Sequence, residues 1–97
     1  MSTDQNSEEF YNKLRDQLQD SANWPAEYLY KFIIPTDVHK IAILEAIFDN
    51  MGAVITTTAS KNAKYTSVSI NILMRNPDAV IEKYLEVAEK VEGVISL

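Results

Sequence analysis

The chain has 97 residues, 46% of them apolar, which is enough for one core without a metal or disulfide staple. With no cysteine and a single histidine, it excludes thiol catalysis, cysteine-ligated zinc and iron–sulfur clusters, and it lacks the imidazoles of an all-protein transition-metal site. A formal net charge of −5 disfavours non-specific contact with nucleic acid or an anionic membrane.

Residues 1–6 read as a disordered tail. Residues 7–22 read as an N-terminal helix: Ser7 caps it, Glu8 and Glu9 suit the positive end of the helix dipole, and Phe10, Tyr11, Leu14 and Leu18 form a thin apolar stripe. So narrow a stripe suits an added helix that docks on the rim of the domain or on a partner. The opening "MSTDQNSEEF" is acidic and polar, where a signal peptide is basic and then apolar. No apolar run approaches the ~18–20 residues of a membrane-spanning helix. These features predict a soluble, cytoplasmic chain.

Residues 23–97 read as one domain. "EYLYKFIIP" is a strand in which Tyr28, Tyr30, Phe32 and Ile34 alternate with Leu29, Lys31 and Ile33. An unpaired lysine is too costly to bury, so the aromatic set faces inward and Lys31 outward. "TDVHKIAILEAIFDNMG" is a helix capped by Thr36 or Asp37 and stopped by Gly52; Ile41, Leu44, Phe48 and Met51 share its inner face and Ile43 lies outside. "AVITTTAS" is a β-branched strand and "KNAK" a turn. In the following strand, "YTSVSINILM", Val68, Ile70, Ile72 and Met74 alternate with Ser67, Ser69, Asn71 and Leu73. A last helix starts at Asn76 and Pro77, turns Val80, Tyr84, Val87 and Val91 inward, and stops at Gly93 before a closing strand, "VISL". The order βαββαβ predicts an α+β, ferredoxin-like sandwich: a four-stranded antiparallel sheet with two helices on one face, strand three between strands one and two, plus the extra N-terminal helix.

Charge is uneven along the chain. Residues 31–75 hold five basic and three acidic side chains, between two acidic ends. Within this middle stretch, Lys31, Ser60, Lys61, Lys64, Tyr65, Ser67 and Ser69 are the candidate ligand-binding or partner-binding residues, because ammonium groups and hydroxyl donors on one surface suit a carboxylate or phosphate. Against such a site stand the absence of a glycine-rich phosphate loop and the ordinary role of polar side chains on the wet face of a sheet. Leu29, Ile33 and Ile43 are candidate interface residues. RNA recognition on such a sheet needs aromatic side chains on its open face, and only Tyr65 qualifies. His39 reads as a solvated helix residue, Asp37 as a cap, and Trp24 and Met74 as packing. No nucleophile, base and oxyanion donor come together, so the chain is read as non-enzymatic, with no cofactor and no metal.

"WPAEYLYKFI", followed after a helix by "SKNAKYTSVSINI" and "VISL", resembles the YbeD-like family of small bacterial proteins of unknown function, over Trp24 to Leu97. The resemblance implies a ferredoxin-like fold akin to ACT regulatory domains, which bind amino acids, and a regulatory role for which a link to lipoate metabolism has been suggested. Lys31, Ser60, Lys61, Tyr65, Ser67 and Ser69 match positions that recur in the family. The turn after strand one lacks the glycine at which an ACT domain admits an amino acid. The expected function is a regulatory or protein-interaction module acting through the open face of the sheet, with a protein partner or a second copy. The alternative is a sensor of an amino acid, a lipoate-related compound or another anionic metabolite.

Overall fold

The structure, a computed structural model, describes residues 2–49 and 51–96, and side chains from residue 8. Its elements are α1 (Ser2–Ser21), β1 (Ala26–Pro35), α2 (Val38–Ile47), β2 (Val54–Ala59), β3 (Tyr65–Met74), α3 (Pro77–Lys90) and β4 (Ile95–Ser96). The four strands form one antiparallel sheet in the order β2-β3-β1-β4, with β1 and β3 at the centre. This is an α+β architecture compatible with a ferredoxin-like fold.

The alternation in β1 and β3 decides which side of the sheet is covered. Tyr30, Phe32 and Ile34 of β1 and Val68, Ile70, Ile72 and Met74 of β3 are buried against Leu44, Ile47 and Phe48 and against Val80, Ile81, Tyr84 and Val87. Lys31, between two side chains with no exposed surface, faces water. Tyr30 sits at the centre of an aromatic cluster, edge-on to Tyr28 at 4.7 Å and to Tyr84 at 4.9 Å and stacked with Phe32 at 5.7 Å between ring centroids. Its hydroxyl donates to the Val80 carbonyl at 3.0 Å, which satisfies the one polar atom the ring carries into the core.

Helices α2 and α3 start where their caps predict. The Asp37 carboxylate accepts from the His39 and Lys40 amides at 2.8 and 3.4 Å, and the Asn76 side chain accepts from the Ala79 amide at 2.8 Å with Pro77 in the first turn. Lys83 of α3 donates to the carbonyl of Ile47 at 2.8 Å, satisfying an orphan group at the end of α2.

Two expectations are corrected. Helix α2 ends at Ile47, not near Gly52, so Ile47 is a core residue and Met51 is exposed. The helix is apolar on nearly every side, and a wheel drawn on it does not single out one face. Asn50 lies outside the described residues. Helical backbone also extends back to Ser2, so residues 2–6, expected to be a disordered tail, belong to α1. No proline or glycine interrupts the segment before Ser7, and the helix continues through the expected cap. Met1 lies outside the described residues, as does Leu97 of the closing strand. Of the two placements expected for the N-terminal helix, the rim of its own domain is the one observed. Leu18 enters the core, Tyr11 and Leu14 pack against it, Arg15 pairs with Asp78 of α3, and the Trp24 indole donates to the Leu18 carbonyl at 3.0 Å.

Candidate functional site

Three helices cover one face of the sheet and leave the other bare. The register builds that open face row by row: Leu29 beside Asn71 and Val54; Lys31 beside Ser69 and Thr56; Ile33 beside Ser67, Thr58 and Ile95; Pro35 beside Tyr65; Glu27 beside Leu73. Directly opposed side chains on one face stand about 4.5–5.5 Å apart at Cβ, so each row is a line of contact. The middle rows form a band of hydroxyls with a single ammonium. Apolar side chains flank it: Leu29, Val54 and Leu73 at one end, Ile33, Ile95 and Tyr65 at the other. Leu73 is 63% exposed, Val54 67%, Ile95 52% and Leu29 49%. The wet face of an antiparallel sheet is ordinarily polar, and large apolar groups at adjoining positions depart from that pattern.

The predicted site residues divide into two groups. Lys31, Ser67 and Ser69 come together at mid-sheet, and Tyr65 shares their face. Ser60, Lys61 and Lys64 sit in the turn beyond. Ser69 is four residues along β3 from Tyr65, roughly 14 Å at the rise of a strand, so the lysines of the turn and Lys31 do not converge on one small anion. The Ser60 hydroxyl and the Asn62 side chain of the turn are also occupied. The Ser60 hydroxyl accepts from the Tyr65 amide at 3.0 Å and donates to Asn62 at 3.2 Å. Asn62 in turn accepts from the Lys64 amide at 3.2 Å, and Ala63 takes a positive φ of 57°. Ser60 therefore builds the hairpin. Ile43, the third expected interface residue, is exposed on α2 in the helical layer, on the far side of the sheet from Leu29 and Ile33.

Thr56, Thr58, Val54, Leu73 and Ile95 join the face without having been singled out in the sequence. The threonine run in β2 conceals which members face which way, and only its pairing with β3 settles this. Of the aromatic side chains of β1 and β3, Tyr65 alone is on the open face, since Tyr30 and Phe32 are buried on the other. Comparison with family models, with curated proteins and with solved structures finds no match to this chain. No helix among the described residues is long and apolar enough to cross a membrane.

Proposed function

We propose that this chain is a non-enzymatic regulatory or protein-interaction module of ferredoxin-like topology, working in the cytoplasm, and that the open face of its sheet docks a partner protein. The observation that carries the proposal is the composition of that face. Two exposed apolar patches lie on either side of a band made of Lys31, Ser67, Ser69, Thr56 and Thr58. Apolar anchors supply affinity when buried, and the amine and hydroxyls set orientation. The YbeD-like pattern of strand one and the hairpin supports the same regulatory reading.

Affinity capture from the native cell with three proteins tests it: wild type, Leu29→Glu and Lys31→Glu. Both substitutions are on the wet face, so all three proteins should melt within a few degrees of one another. Proteins held by wild type and released by both variants support the proposal. An identical set from all three overturns it.

One feature favours a second reading, a sensor of a small anionic metabolite: the Lys31 amine stands in one row with the hydroxyls of Ser69 and Thr56. A thermal-shift screen of amino acids, lipoate and phosphorylated metabolites separates the two. A ligand of the folded state at a hundred times its Kd adds about 2.7 kcal/mol of stability, and a flat screen removes the sensor.

A further inference from the structure

Strand β2 is an edge of the sheet, and its outer side is bare. The Ser60 amide donates to the Tyr65 carbonyl at 2.7 Å, so Ser60 turns its backbone groups toward β3. By the alternation of an antiparallel ladder, the amides and carbonyls of Ile55, Thr57 and Ala59 point the other way, off the free edge. Natural edges are guarded by charges, proline, bulges or shortness. The opposite edge, β4, is two residues long, whereas β2 runs six, "VITTTA", with no charge, proline or glycine. Nor does α2 cover it: Thr57 and Ala59 are exposed on the helical side. Between α2 and β2 an open cleft of about 470 Å³ is lined by Ala42, Glu45, Ala46, Asp49, Ala53 and Ile55.

The charges at the two ends of β2 indicate what fits there. The start of the strand shares its cleft with Glu45 of α2 and Asp49 of the turn that follows, and the strand runs out into the hairpin that carries Lys61 and Lys64. A second copy added antiparallel, about a twofold axis normal to the sheet, sets the basic turn of each chain against the acidic shoulder of the other. It does so twice, and the uncharged strands between them meet without repulsion. Keeping the helices of both copies on one side requires residues of like parity to face each other. Thr57 opposite its own copy meets this condition, with Ile55 opposite Ala59. That register supplies about six main-chain hydrogen bonds and brings threonines opposite or diagonal to one another.

We infer that two copies of this chain pair through β2, joining two four-stranded sheets into one continuous sheet with a doubled open face. The inference is independent of the docking function proposed above, because the edge pairs through the main chain of Ile55, Thr57 and Ala59, whereas the open face presents the side chains of Leu29, Lys31, Ser67 and Ser69 with those of Thr56 and Thr58.

Sedimentation velocity over a concentration series of the full chain tests it. Wild type should pass from monomer to dimer with a Kd on the order of micromolar, as for a modest interface. Thr57→Pro removes an outward amide at a position where an edge strand tolerates proline, and should leave a folded monomer. Thr57→Lys, which keeps the backbone intact, should do the same if the proline variant fails to fold. Lys61→Glu and Glu45→Lys should each weaken pairing roughly tenfold, and together restore most of it. Lys31→Glu should leave the dimer unchanged. A chain that stays monomeric to about 1 mM, where even weak pairing registers, overturns the inference. So does a dimer indifferent to both Thr57 variants.

Discussion

Tyr84 stands where three elements meet. Its ring lies edge-on to Tyr28 at 6.1 Å and to Tyr30 at 4.9 Å, and its hydroxyl shares a 2.7 Å hydrogen bond with that of Tyr28. Burial, and then the Tyr28 hydrogen bond, push its phenol well above the usual tyrosine range, and burial does the same to Tyr30. A phenol whose folded value is raised contributes stability that is complete below the ordinary value of about 10. That contribution is lost as pH rises, because the unfolded chain ionises first. Urea denaturation should therefore show stability falling above about pH 10, by up to 1.4 kcal/mol per pH unit for each such group. Tyr84→Phe should cost about 1 kcal/mol at pH 7 through the lost hydrogen bond, and should make the alkaline fall shallower. An unchanged alkaline slope would show that Tyr84 ionises freely in the folded state. At this scale the sequence was most informative at Lys31: the cost of burying one amine oriented β1, and with it the whole sheet. It was silent on Ser60, whose hydroxyl reads as a ligand donor until the hairpin shows it bonded to the Tyr65 amide.

At the scale of elements, legibility followed the clarity of the pattern. Strand β3 alternates cleanly and faces as its sequence predicts. Helix α3, with a cap, a proline and a single apolar face, begins and ends close to where expected. Helix α2 and strand β2 gave less. The first is apolar nearly all round, so neither its end nor the place of Ile47 and Met51 could be read from it. The second is a run of β-branched residues whose two faces look alike until β3 pairs with one side. The stop after α3 is a sharper case. Gly93 holds a φ of +80°, and a Cβ there would come within 3.3 Å of the Pro35 ring. Gly93→Ala carries both a left-handed backbone penalty and a close contact at the join between α3 and β4. It should cost about 1–2 kcal/mol in chemical denaturation. A neutral substitution would mean that the turn relaxes freely, and that β4 is not held by it.

For the whole molecule, the sheet is closed on one side by three helices and left with an apolar, hydroxyl-rich face and a bare β2 edge on the others. We propose the open face as a contact surface and not merely a wetted one. Covalent lysine labelling, read by mass spectrometry on the free protein and on the complex recovered by affinity capture, tests it most directly. Lys31 and Lys13 are both exposed in the free chain, one on the open face and one on α1. Lys31 should lose its reactivity in the complex while Lys13 keeps it. If Lys31 is labelled equally in both states, the open face is not where the partner binds.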